Sequence, residues 1–254
     1  MTQRGDPHDW ASETYVEEWV RRQQVEDPIR AERFQLLCDL FPFPQDAAVT
    51  ILDVGAGYGP VSTFILDRYP RATCIAQDGS EPMLNRARTL VASYSNRFKP
   101  YHSDLFETGW LPEQFGPFDA VVSSSCLHNL RNFERISEIY REIREHLRAG
   151  GVFLNLDLVN APTAELHQRY DVVLARRRRR DGAPADDIGA MVPSEGRSSV
   201  TATIGPFPAT LDQHLAALRA AGFKDVDCFW KELRWALVGG YAEPGQAFGV
   251  GRSR

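Results

Sequence analysis

Asp53-Val54-Gly55-Ala56-Gly57-Tyr58-Gly59, preceded by Ile51-Leu52 and followed by Pro60, is the stretch on which the fold turns. A short apolar run meets three glycines and then a helical pattern from Val61 to Arg68, which reads as strand, turn and helix. Glycines at such a junction let the backbone pass close to a ligand and present amides at a helix amino terminus. A dinucleotide fingerprint would need a small residue again at position 60, where the helix packs on the strand, and Pro60 stands there. Pyrophosphate is therefore disfavoured. Asp53 at the strand end places a carboxylate beside the turn, which suits an ammonium or a sulfonium better than a phosphate. By itself the turn also fits a purely structural bend in some other nucleotide-binding protein.

Working outward, the unit repeats. Ala72 to Gln77 reads as a strand and Pro82 to Tyr94 as a helix. Phe98 to Ser103 and Phe118 to Ser123 read as strands, Phe133 to Leu147 as a helix, and Val152 to Val159 as the next strand after Gly150-Gly151. Strands alternating with helices imply right-handed crossovers and a parallel sheet covered on both faces. Residues 12–41 read as helical, interrupted at Pro28 and ended by Pro42, so 1–45 is expected to be an amino-terminal helical cap and 46–254 the main domain. After a helical stretch at 163–180, residues 181–208 are rich in Gly, Pro, Ser and Asp and are expected to form a loop, a candidate lid. Leu211 to Ala221 reads as a helix, and Val226–Leu233 and Trp235–Val238 as two antiparallel strands.

The second strand ends in Asp78, followed by Gly79-Ser80-Glu81-Pro82-Met83-Leu84. An acid at this spacing from the glycine turn can accept both hydroxyl hydrogens of a ribose; the plainer role is capping the next helix. The third strand ends in Ser103-Asp104-Leu105, where the carboxylate can take an adenine amine while Leu105 packs on the ring; the plainer reading is a surface acid. Acids at three consecutive strand ends then spell amino acid, ribose and adenine.

These residues resemble the class I S-adenosylmethionine-dependent methyltransferases, small-molecule type. The matching stretches are Ile51 to Gly59, Gln77 to Leu84, Ser103 to Leu105, Phe118 to Ser123 with Leu127-His128, and Leu147 to Gly151, in order over about residues 50–160. The resemblance implies a doubly wound, Rossmann-like α/β fold with a seven-stranded sheet whose last strand is antiparallel. It also implies S-adenosyl-L-methionine as cofactor, with S-adenosyl-L-homocysteine as product. Gly55 and Gly57, with Ala56 between them, are carried over to the methionine moiety, Asp78 to the ribose, and Asp104 with Leu105 to the adenine. Gly79 and Met83 lie in the same matching stretches, and Ser123 is expected to border the methionine arm. Asn129 stands where small-molecule members often place a second histidine.

His128 follows the fourth strand at the edge where open sheets bind ligands, so it is a candidate general base; a histidine packed beside the cofactor is the alternative. Asp157 at the end of the fifth strand is another candidate base or anchor. Tyr15, Trp19 and Arg22 on the cap are candidate acceptor contacts, or simply packing residues. Arg176 to Arg180 resembles an RNA patch, but it is short and lacks interleaved aromatics, and a solvated helix end is favoured.

Composition narrows the field. The 254 residues carry a net charge of −5, which disfavours a nucleic-acid partner. The four cysteines stand singly, so no metal site or redox dithiol is expected. The polar amino terminus and the lack of a long apolar run imply a cytoplasmic protein without a membrane span. The expected function is methyl transfer to a small acceptor, in a setting such as secondary metabolism, with a homodimer left open. The rivals are a non-catalytic cofactor-binding regulator and an RNA-directed transferase of the same fold.

Overall fold

The computed structural model describes residues 8–94, 96–180 and 209–243. The expected lid at 181–208 lies outside these residues. Seven strands form one sheet: β1 (Thr50–Val54), β2 (Thr73–Asp78), β3 (Phe98–His102), β4 (Phe118–Ser124), β5 (Leu147–Leu158), β6 (Lys224–Glu232) and β7 (Trp235–Tyr241). Their order is β3-β2-β1-β4-β5-β7-β6. The first five run parallel, and β7 lies antiparallel between β5 and β6, as the resemblance implied.

Strand periodicity divides the core. Leu52, Val54, Val121 and Phe153 are buried in one cluster with Ile136, Ile139, Tyr140 and Ile143 of α4 (Phe133–His146) and Leu218 of α6 (Leu211–Ala220). Ile51, Val122 and Leu154 belong to another, with Val61 and Ile65 of α2 (Pro60–Arg68) and Phe34 and Leu37 of α1 (Glu13–Asp39). Each fully buried side chain of this size contributes roughly 1.5–3 kcal/mol. α3 (Glu81–Leu90) covers the β2 side, and α5 (Ala164–Arg180) follows β5.

Two local expectations are corrected. α1 runs unbroken through Pro28. A proline inside a helix costs about 3 kcal/mol, but α1 is buried at both ends, by Val16 and Val20 and by Phe34, Leu37 and Cys38, and that burial outweighs one lost backbone bond. The Leu147–Gly151 stretch opens β5 instead of closing α4: Leu147 pairs with Phe118, and a register shift lets the following residues rejoin β4. At the end of α5, Arg177 pairs with Glu232 of β6. Among the described residues no helix is long and apolar enough to cross a membrane.

Candidate functional site

The carboxyl ends of β1 to β4 open onto a cavity of about 250 Å³. The glycine turn forms its floor. Gly55 and Gly57 have φ of +64° and +58°, which favours glycine at both. Gly55 N–H donates to Gln77 Oε1 at 3.1 Å, and Gln77 Nε2 donates to the Ser103 carbonyl at 2.7 Å. One buried glutamine thus ties the turn to the end of β3. A Cβ at Gly57 would meet nothing within 4 Å, so the backbone there is open to a ligand.

Asp78 accepts Gly57 N–H at Oδ2 and Ser80 N–H at Oδ1, both at 2.7 Å. Burial pushes its carboxyl up, against the pull of these amide donors. Each oxygen keeps a lone pair in a place poor in water, where two ribose hydroxyls would be favourable partners. Capping of α3 falls to Ser80, whose hydroxyl accepts Met83 N–H at 3.2 Å. Asp104 is exposed at the far rim and holds Phe106 N–H at 2.9 Å, with Leu105 buried beside it.

Asp53 is 1% exposed and accepts the Ser62 hydroxyl at 2.6 Å. Burial, reinforced by the charge of Asp78 and opposed by Ser62, lifts its carboxyl from 3.8 to about 7. An acid with a raised folded pKa stabilises the fold most below its ordinary value and loses that contribution as pH rises from about 4 to about 7. Ionised Asp53 is therefore a strained charge awaiting a cation. Asp53→Asn is expected to stabilise the empty protein at pH 8 by about 1–3 kcal/mol and to weaken S-adenosylhomocysteine binding about tenfold. Denaturant unfolding beside calorimetry checks the opposite signs, and losses in both would refute the reading.

Asp53, Gly55, Ala56, Gly57, Asp78, Gly79, Met83, Asp104 and Leu105 all line this cavity. Ser123 is fully buried and does not line it; its neighbours Ser124, Ser125 and Cys126 do. The buried Ser124 hydroxyl has no hydrogen-bond partner among the described residues. Of the cap residues Trp19 lines the cavity, Tyr15 packs edge-on against Trp10, and Arg22 is exposed outside it.

Four contributors escaped the sequence reading. Trp10, Gln77, Arg30 and Cys126 all line the cavity. The Ser80 hydroxyl donates to the Trp10 carbonyl at 2.6 Å, and the Trp10, Trp19 and Tyr58 rings stack edge to face. The amino-terminal segment thus roofs the same cavity that the three acids line.

Beside it, His128 sits in a 3₁₀ turn, Leu127–Leu130, directly after β4. Asp157, 2% exposed, reaches from the neighbouring strand: His128 N–H donates to Oδ2 at 3.0 Å and Nδ1 lies 2.6 Å from Oδ1. With Nδ1 held by a carboxylate, Nε2 is the ring's proton-accepting atom. Asp157 also accepts Leu158 N–H at 2.8 Å, so it orients His128 and has little freedom to act as a base itself. Among the described residues no group of three or more His, Cys, Asp or Glu could hold a metal ion.

The sheet order and the acid-lined glycine turn are those of the class I S-adenosylmethionine-dependent methyltransferases, and that is the class the comparisons indicate. Comparison with known proteins agrees: residues 51–151 match the family described as a methyltransferase domain. A malonyl-acyl-carrier-protein O-methyltransferase of Geobacter sulfurreducens is 29% identical over 179 residues, 70% of this chain and 57% of its own. A trans-aconitate 2-methyltransferase of Azoarcus sp. is 28% identical over 109 residues, 43% of this chain and 39% of its own. These matches therefore span about half the length of the relatives or less. Among solved structures, human N-acetylserotonin methyltransferase in complex with S-adenosylmethionine superposes with TM-score 0.59 at 17% identity, over 91% of this chain and 57% of its own. PigF with S-adenosylhomocysteine gives 0.61 at 18%, over 93% of this chain and 63% of its own. At such identity the structural likeness shows the fold.

Proposed function

We propose that the protein transfers the methyl group of S-adenosylmethionine to a small-molecule acceptor, in a setting such as secondary metabolism. The observation that carries this is the convergence of Asp53, Asp78 and Asp104, from three consecutive strand ends, on one cavity floored by the glycine turn. In this reading Asp78 holds the ribose hydroxyls, Asp104 and Leu105 the adenine, and the turn with Asp53 the methionyl part; Gly79 and Met83 wall the ribose. Bound there, the cofactor supplies the methyl electrophile. The chain then has to align the acceptor and keep water out, which the aromatic roof of Trp10 and Trp19 supports.

His128 Nε2 receives the acceptor's proton where the acceptor is a hydroxyl, with Asp157 fixing the ring. A small acceptor is supported by the relative whose name specifies trans-aconitate. In this proposal residues 1–45 act as one functional unit, in which Trp10 and Trp19 roof the cofactor side while Phe34 and Leu37 belong to the sheet core.

Calorimetry with S-adenosylhomocysteine on Asp78→Ala tests the cofactor assignment. A buried carboxylate accepting two hydroxyls contributes about 1.5–3 kcal/mol, so affinity should fall about ten- to hundredfold. Unchanged affinity in the folded variant would remove the ribose role.

A further inference from the structure

We infer that Arg135 is a positioning residue for the adenine end of the cofactor: from the first turn of α4 it holds the Leu105 carbonyl and so fixes where Asp104 meets the base. This rests on the assignment of Asp104 and Leu105 to the adenine above. β3 ends at His102, so the place of Asp104 is set by bonds outside the sheet ladder. Its own bonds do not set it. Asp104 Oδ1 accepts Phe106 N–H at 2.9 Å and its carbonyl accepts Glu107 N–H at 3.0 Å, and both of these travel with the loop. The ties to the body lie on either side. Ser103 is held from β2, its N–H donating to the Asp78 carbonyl at 3.2 Å and its carbonyl accepting Gln77 Nε2. Leu105 is held from α4, where Arg135 Nε donates to its carbonyl at 2.7 Å.

The aim of that Nε–H is fixed by the rest of the guanidinium. Nη1 donates to Glu138 Oε2 at 3.0 Å and to Glu142 Oε1 at 2.8 Å, and Nη2 donates to Glu142 Oε2 at 3.2 Å. A planar fork clamped on a carboxylate has one orientation, which sets the direction of its Nε edge. Glu142 is fixed in turn. Trp110 Nε1 donates to its Oε2, and against the upward push of burial Arg135 and Trp110 hold its carboxyl below the usual range. The Trp110 carbonyl accepts the Ser103 hydroxyl at 2.7 Å, so the bonds run from Arg135 through Glu142 and Trp110 back to the loop. The Arg135 side chain is 11% exposed, and its backbone is placed by the cap of α4, where the Asn132 side chain accepts Arg135 N–H at 3.1 Å. A helix-surface ion pair needs none of this. Two carboxylates here hold one cation whose remaining edge grips a backbone carbonyl one residue from the adenine acid.

Base selection is a readout that a merely structural role would not move. Adenine offers Asp104 an amine, whereas hypoxanthine offers a carbonyl oxygen, which a carboxylate repels. By calorimetry on the full chain, the unsubstituted protein should bind S-adenosylhomocysteine about 30-fold more tightly than S-inosylhomocysteine. Arg135→Gln should narrow that ratio to about threefold, chiefly by weakening the adenosyl ligand. Glu138→Gln, which removes one partner of Arg135 and leaves the Glu142 clamp, should keep the ratio. An unchanged ratio in the folded Arg135→Gln protein, including an equal loss of both ligands, overturns the inference and leaves the adenine assignment standing. Equal narrowing in Glu138→Gln overturns it as well, since the grip on the carbonyl would not be the cause. If the unsubstituted protein binds the two ligands alike, the adenine assignment itself fails and the inference falls with it. Should Arg135→Gln not fold, Arg135→Lys carries the test: an ammonium keeps a charge for Glu142 but has no fixed Nε edge, so the ratio should still fall by about threefold, and a full ratio overturns the inference.

Discussion

His128→Ala should lower kcat by about 10²- to 10⁴-fold on a hydroxyl acceptor while S-adenosylhomocysteine binding stays as it was. The two readouts separate because His128 is not among the residues lining the cofactor cavity, although Cys126, Asn129 and Leu130 around it are. His128 is held by neighbouring strands: β4 delivers it, and Asp157 at the end of β5 grips both its backbone N–H and its Nδ1. Asp157→Asn keeps the shape of that grip but loses its charge, so it should cost less than removing the ring, and the loss should fall on kcat rather than KM. An acceptor is first found by screening small hydroxyl and carboxyl compounds for S-adenosylhomocysteine release. Full kcat in a folded His128→Ala would show that alignment alone carries the transfer.

The parts of this site that were legible share one property: their chemistry is announced within a few residues of chain. Asp53 and the glycines follow a buried strand, Asp78 precedes Gly79-Ser80, and His128 follows β4. The parts that were not legible come from far away in sequence and carry no local mark. Arg30 is one of four arginines on a helix whose surface is polar along most of its length, and no local feature marks it as the one that lines the cavity. Trp10 precedes the first helix, with no periodicity to place it until the Ser80 hydroxyl ties its carbonyl to the end of β2. Ser123 shows the limit of register reasoning: it faces away from the cavity, whereas Ser124 and the turn beyond it reach the ligand side. Pro28 shows the limit of local propensity, since tertiary burial at both ends of α1 overrides it.

Gly55→Ala is expected to be the most damaging single methyl in the site, and the reason is a side chain 71 positions away in sequence. A Cβ on Gly55 would lie 2.0 Å from Cys126 Sγ and 2.4 Å from Cys126 Cβ. Cys126 is half-buried, but one of the two close atoms is its Cβ, which is fixed to the backbone, so relief requires the main chain to shift. Two costs add: about 1–2 kcal/mol for a side chain at φ +64°, and about 1–3 kcal/mol for overpacking. Gly57→Ala separates them. Its φ of +58° imposes the same backbone cost, but its Cβ would meet nothing within 4 Å. Denaturant unfolding should therefore show Gly57→Ala costing about 1–2 kcal/mol and Gly55→Ala about 2–5 kcal/mol. Adding Cys126→Gly to Gly55→Ala removes both clashing atoms and should recover most of the difference, a coupling that independent sites would not show. Binding should follow the fold. Displacing the turn disturbs the Gly55 N–H to Gln77 and Gly57 N–H to Asp78 bonds together, so Gly55→Ala is expected to weaken S-adenosylhomocysteine about a hundredfold. Equal stability losses in the two alanine variants would show that Cys126 gives way and that the turn is not wedged against β4.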